Sequence, residues 1–557
     1  MRKLLSVLLM LALLGTLLVP FAVAEEALEP ITLTVFRGDP GDQPSDDNKI
    51  YKMIEEEFGV TFEFEFLAGD LDETLGVKIA GEDYPDLFDG GNSADLIIQN
   101  GALINLLDYI NPEDTPRLWA HIEPQKARLI EHDEDGNDVL YIIPNYGLTD
   151  GDQIVNEVNG PAFFIQKQVL AWAGYPQIHT LNEYFDLIEG FLAENPTNAD
   201  GTPYIGFDIL CEDWRHFCLI NPVQHLMGRP NDGEVLIDVS TDDFHTETFI
   251  DKPYAKAYYQ KLNEEYQKGL ISKDTFVMNY DQYIAQLSSG IVLGMFDQTW
   301  DFGNATAALK TAGMDENTYV ALGLVYDPEY VDGQEIEEHY VNGTLPNVRR
   351  GFGISVNCQY PERIINMWEE MLSERWQLIL NWGIEGEDYY VEDGRLLMTQ
   401  EQYEQRNDNT WKLQNRALAF FESSPKKQGW ILEGDYAGNT WDPAQQPEIV
   451  LGLMNDYDKD FLSHYGYSKF ADFVNPPIEL APYGEAWQID YTPVDIEHQD
   501  FLDIQDRCLP DIIMSDPAEF DAKWDAFVEE ITPSATAFGD YMQEAVVAEA
   551  HKVLDNE

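Results

Sequence analysis

The sequence predicts an α/β protein of at least two domains. Three observations carry this. Near the start, ITLTVF, an amphipathic helix and the alternating run TFEFEF follow one another, and a strand–helix–strand order sets two strands parallel in one sheet. From Ala162, AFFIQKQVLAWAG opens a second strand-and-helix unit. A chain of 557 residues also exceeds what one hydrophobic core usually supports.

The first 26 residues read MRKLLSVLLMLALLGTLLVPFAVAEE. Arg2 and Lys3 precede an unbroken apolar run, and Ala22-Val23-Ala24 stands before Glu25-Glu26, the pattern of an export leader cleaved after Ala24. A retained membrane anchor is the alternative, opposed by Pro20 and the A-x-A ending. No other apolar run approaches the ~20 residues that span a bilayer. Removing 24 residues from 557 leaves an expected exported chain of 533. The formal net charge of −69 becomes −71 once Arg2 and Lys3 are gone. Such a field repels nucleic acid and anionic membranes or polysaccharides, and it suits neutral or cationic ligands.

Along the first lobe, Ile31–Phe36 reads as a strand, and the polar loop RGDPGDQPSDDN leads to a helix with Ile50, Met53, Ile54 and Phe58 on one face. TFEFEF makes the second strand, ETLGVKIAGEDYP the next helix, and DLFDGGNSADLI continues the unit. Ligands of open α/β sheets meet the loops at strand carboxyl ends. Arg37, Asp39, Asp89 and Asn92 are therefore candidate contacts. In EHDEDGNDVLYIIP the D-x-D-G-N-D spacing misplaces the glycine of an EF-hand loop and no Glu stands at its twelfth position, so a solvated hairpin turn is expected rather than a calcium site.

The second lobe is expected to begin near Asn159. Thr180 and Glu183 form a capping box for a helix from Leu181 to Glu194. In CEDWRHFC, Trp214 and Arg215 can stack on and fork toward a polar ligand, or sit in a packed surface loop. Cys211 and Cys218 can close a small disulfide in an exported protein or stay as thiols. With no CxxC pair and no HExxH, neither a structural zinc nor a zincin site is expected, nor any other metal or cofactor. A helix over 253–268 and the amphipathic YDQYIAQLSSG precede IVLGMFDQTWDFGNA. There a buried strand is expected to deliver Asp297, Gln298, Trp300 and Asp301 to a loop, with a Gly-rich turn after it. Trp300 either faces ligand, with Asp297 or Asp301 accepting from its hydroxyls, or anchors the hinge.

Thr318–Tyr326 is a further strand. From Arg349, RRGFGISVNCQYPERIINMWEEMLSERWQLILNWGIEGEDYYVEDGRL gives a short strand and then, after Pro361, one helix. Ile364, Ile365, Trp368, Met371, Leu372, Trp376 and Ile379 make its apolar face. Asn381-Trp382-Gly383 ends it, and an acidic link leads into a hairpin. The stretch 414–441 is aromatic, Gly-rich and irregular, and Trp430, Tyr436 and Trp441 are its candidates for reaching a binding cleft. Asp516-Pro517-Ala518-Glu519 caps a last helix whose Phe520, Trp524, Phe527, Val528 and Ile531 share a face. No internal repeat or flexible linker is present.

The segment from Arg349 through NWGIEGEDYY resembles the late part of family 1 extracellular solute-binding proteins, the maltodextrin-binding type that serves ABC importers. Pro85-Asp86-Leu87, Leu106-Leu107-Asp108, Ile142–Tyr146, the T-x-x-E at Thr180, residues 291–305 and EFDAKWDAFVEEI are similar to segments of the same family. The resemblance implies a two-lobed periplasmic-binding-protein type II fold with a hinge and an inter-lobe cleft. The first lobe would be residues 25–158 with about 302–370, and the second 159–301 with about 371–557. It also implies a cleft site that includes Tyr146 and Trp441, a carbohydrate ligand, an ABC permease as partner, a monomer, no catalysis and an extracytoplasmic location. Family lipoproteins carry a cysteine right after the leader; here the first is Cys211, so that tether is not expected. The alternatives are a secreted glycoside hydrolase, whose carboxylate pair cannot be singled out among 102 acidic residues, a binder of peptide or polyamine, and an adhesin-like scaffold.

Overall fold

The computed structural model describes residues 29–554 except 134, 242, 338–344 and 479. The predicted leader lies outside the described residues. Its strands in chain order are β1 (Ile31–Arg37), β2 (Val60–Phe66), β3 (Leu87–Phe88), β4 (Pro161–Gln166), β5 (Ile205–Asp208), β6 (Val292–Gln298), β7 (Tyr319–Leu322) and β8 (Gly353–Ile354), with short hairpins besides.

Two four-stranded sheets form the two lobes. The first has the order β8-β3-β1-β2, the second β7-β4-β6-β5. β1 lies parallel to β2 from Ile31 opposite Val60 to Arg37 opposite Phe66, and parallel to β3 as well, as the strand–helix–strand order requires. β8 returns antiparallel to β3. In the second sheet β4 runs antiparallel to both neighbours, while β6 and β5 are parallel. All six residues of β4 are buried, the signature of a strand covered on both faces. β2 alternates in exposure, as an edge strand does.

The lobes have separate cores, and these redraw the expected boundaries. The first packs Leu33, Val35, Ile54, Ile364, Trp368, Trp376 and Phe420 together. The second packs Phe163, Ile165, Phe207, Met295, Phe302, Tyr326, Phe461, Phe501 and Trp524. Residues 302–326 were expected in the first lobe. They lie in the second because β7 pairs with β4 and the helix Thr299–Thr311 buries Phe302, Ala305 and Leu309. Trp376, Leu380, Ala417, Phe420 and Phe421, expected in the second lobe, belong to the first core. A satellite cluster of Trp382, Tyr389, Leu396, Ile431, Trp441 and Ile449 gathers the chain between and beyond them. The chain then crosses back, and Asp456–Tyr465, Asp495–Ile513 and the 35-residue helix Phe520–Leu554 complete the second lobe. Among the described residues the chain thus passes between the two sides three times, between Leu148 and Val155, between Ile336 and Val348, and between Leu453 and Tyr457.

The helix read from Pro361 to Asn381 is two. Pro361–Met371 stops at Leu372, and Ser373 accepts from the Trp376 N–H to start Glu374–Asn381, because serine favours that capping role over a helix interior. Its apolar face stays in register across the break. The expected hairpin after Gly383 turns on Asp393 and Gly394, both left-handed (φ 50° and 79°), which suits the twist of a two-residue loop. The capping box at Thr180 and the helix Pro253–Lys268 are as expected.

Candidate functional site

The crossings surround a cavity of about 750 Å³ lined from both lobes. Tyr146, Leu345, Asn347, Tyr403 and Gln428 come from the first-lobe side, Asn231, Gln298, Glu485 and Trp487 from the second, and residues 153–161 form the floor between them. The crossings press together at Gly147. Its φ of 87° is left-handed, and the place a Cβ would take is occupied by the Leu345 carbonyl, so only glycine fits. The Gly147 N–H donates to Gln428 Oε1 at 2.7 Å.

Nine of the lining residues are asparagine or glutamine. Four of them are oriented alike. Gln298 Oε1 accepts from Trp300 Nε1 at 2.8 Å, Gln428 Oε1 from Gly147, Asn347 Oδ1 from the Arg349 N–H at 3.2 Å and Asn231 Oδ1 from Asn221 Nδ2 at 2.9 Å. Fixing the carbonyl oxygen of each amide leaves its NH₂ as the group to donate outward. Lys310 is the one cationic residue in the lining among the described residues, and its ammonium is 3.6 Å from Asp458. Glu157, Asp442 and Glu485 are acidic, though burial pushes Glu485 up to about 7, with Asp232 adding to the rise. Such a wall offers neutral donors and no unmatched cation.

The residues expected in the cleft divide into three groups. Arg37 and Asp89 are buried, not exposed contacts: Arg37 Nε lies 3.5 Å from Asp89, its guanidinium 3.2 Å from Glu422, and Asp89 accepts from the Gly91 N–H at 2.9 Å and from Ser423 Oγ at 2.6 Å. Together they brace the carboxyl ends of β1 and β3. Asp39 and Asn92 stand further out and both accept from Arg350, Asn92 at 3.3 Å.

Two expectations are corrected. Asp297 is fully buried, accepting from the Tyr283 hydroxyl at 2.7 Å, because β6 is covered on both faces from Val292 to Asp297. Burial raises its pKa to about 7. Trp441 is 3% exposed, its indole donating to Asp150 at 2.9 Å, and it anchors the satellite cluster instead of reaching ligand. The chain after Gln298 is also a helix, Thr299–Thr311, not a Gly-rich turn.

Tyr146, 53% exposed, lines the cavity. Trp214 and Trp300 are 52% and 56% exposed and stack on each other with centroids 5.6 Å apart. Arg215 lies over the Trp214 ring at 4.4 Å, and its Nε donates to the buried Asp301 at 3.1 Å. Cys211 and Cys218 are free thiols, Cys218 buried. Trp487, Tyr403 and most of the amides escaped the sequence reading. Trp487, in the irregular stretch GEAWQID, offers one weak signal, a large ring among polar neighbours.

No protein-family model matches the sequence, and no curated protein matches it. Solved structures do. The S. pneumoniae ABC-transporter substrate-binding protein FusA, an EF-hand mutant in complex with fructo-nystose, is 18% identical with a TM-score of 0.60 over 95% of this chain and 100% of its own. An HMO-binding, ABC-transporter-associated solute-binding protein from Bifidobacterium longum infantis gives 14%, 0.60, 94% and 99%. The alginate-binding protein AlgQ2, solved without calcium, gives 16%, 0.53, 93% and 98%. The chain has the two-lobed fold of these proteins across its length.

Proposed function

We propose that this chain is an extracytoplasmic solute-binding protein that captures an uncharged oligosaccharide in the inter-lobe cavity and delivers it to an ABC importer. The observation that carries this is the cavity wall: amides from both lobes, their carbonyl oxygens already held, donate to a ligand that must bring many neutral acceptors. Sugar hydroxyl and ring oxygens answer that demand, and Tyr146, Tyr403 and Trp487 supply rings for their apolar faces. A polyamine could pair with Glu157, Asp442 or Glu485 but would leave the amide donors without acceptors. Anionic ligands would find no free cation.

Binding needs groups from both lobes, so ligand stabilises the state in which the lobes are closed and fixes the outer surface that a permease reads. The named binding partners of the structural neighbours, fructo-nystose, HMO and alginate, are carbohydrates. The fold of those binding proteins and the cavity wall favour capture without turnover over a hydrolase.

The test is thermal melting of the chain with neutral oligosaccharides, uronate oligomers, peptides and spermidine, each with a product assay. A ligand at 100 times its dissociation constant adds about 2.7 kcal/mol to stability. Stabilisation by neutral glycans without products is expected. Stabilisation only by peptide or spermidine would overturn the ligand class, and released sugar would overturn the binding-only role.

A further inference from the structure

The Trp214–Trp300 shelf lies outside the cavity lining, yet it is joined to it. Gln298, whose oxygen holds the Trp300 indole, lines the cavity, as does Pro161, its partner across β4 and β6. Trp300 follows two residues later, in the first turn of Thr299–Thr311. The shelf therefore begins where the cavity ends.

Its construction is rigid and open. The two indoles are tilted by 19°, and Trp214 continues to Phe217 at 6.0 Å and 15°, so three nearly parallel rings form one stair. Arg215 is clamped between Trp214 and Tyr280, 4.4 and 4.1 Å from their centroids, while the Tyr280 hydroxyl donates to the Asp301 carbonyl at 2.7 Å. Asp301 balances the guanidinium, so the cation of the shelf is paired. Two indoles left half in water and fixed in place are costly unless something covers them.

We propose that this shelf is an outer subsite that reads ligand length: an oligosaccharide seated in the cavity lays its next rings over Trp214 and Trp300. The inference rests on the carbohydrate reading above. Short glycans would use the cavity alone, and longer ones would gain affinity from stacking. With Arg215 already paired, the shelf offers no free cation to an anionic sugar, which favours neutral residues at these outer positions as well.

The test is titration calorimetry of the whole chain with maltose through maltooctaose, and with cello- and inulo-oligosaccharide series in parallel, for the parent, Trp214→Ala, Trp300→Ala and Trp300→Phe. Parent affinity is expected to rise with length. Each alanine variant should lose about tenfold for the longest binder and less than about twofold for the shortest, with Trp300→Phe in between. Losses equal at all lengths, or none, would overturn the outer subsite while leaving the cavity reading intact. If the parent binds no neutral glycan, the reading beneath it falls and the inference with it. Sedimentation velocity covers the rival occupant: self-association of the parent that the alanine variants abolish would make the shelf a contact between copies and overturn the proposal.

Discussion

Asp297 shows what one turn of a strand decides. Its carboxyl sits in the second-lobe core, and burial, with the nearby Asp301 adding to it, raises the pKa from 3.8 to about 7 against the opposing hydrogen bond from Tyr283. A carboxyl whose folded pKa is raised contributes most below its unfolded value, and that contribution is lost as pH rises through the folded one. Its share of stability should therefore fall between about pH 4 and 7. In Asp297→Asn the melting temperature is expected to drop less over this window than in the parent; equal drops in parallel melts would show that Asp297 is not protonated in the fold. That Asp297 is buried and Trp300 exposed could not be read from FDQTW, because β6 is covered on both faces and the strand gives way to a helix between the two residues. Trp441 was no more legible. An isolated tryptophan in an irregular stretch is equally suited to a small core and to a binding face.

The elements were more legible, because period and caps are local. β1, β2, the capping box at Thr180 and the long last helix follow from spacing alone, whereas the break at Ser373 was hidden by an apolar face that runs on across it. A further element carries a charge that spacing could not reveal. The helix Asp456–Tyr465, which follows the third crossing, is bound to the second lobe by buried Asp458, 2.5 Å from the buried Lys167 ammonium at the end of β4. Phe470 lies under the same ammonium at 4.2 Å. Lys167→Met would leave Asp458 facing only Lys310. Removing one partner of a buried pair costs about 3–5 kcal/mol. Lys167→Met with Asp458→Leu should recover much of that loss in urea melts, since both buried charges are gone and Lys310, its side chain 45% exposed, is hydrated by solvent; a double variant as unstable as the single one would overturn this account.

At the scale of the molecule, the existence of two lobes was legible from length and from two strand–helix units, but the assignment of chain to lobe was not. Residues 302–326, and Trp376, Leu380 and Ala417 to Phe421, changed sides because β7 pairs with β4 and Trp376 packs on Phe58 in the first core, and both contacts join parts of the chain far apart in sequence. The cavity was invisible for a related reason, since its amides come from nine separate positions. The charge was plain throughout. With a formal net charge of −69, self-repulsion opposes compaction. Raising salt from about 0.01 M to about 1 M shortens the screening length from about 30 Å to about 3 Å, and the melting temperature is expected to rise by several degrees. No rise in a salt series would show that the acidic surface is compensated locally.

The three crossings also set a timetable for synthesis. The first core draws on residues from Leu33 to Phe421, and the second on residues from Val158 to Ala535. A chain made from its amino end cannot finish the first before residue 421 has emerged, nor the second until residue 535 has. β1 and β2 can pair early, but β8 and the closing helices arrive hundreds of residues later, so assembly is governed by long-range contacts and is slow. Both cores therefore stay incomplete until most of the chain has been made.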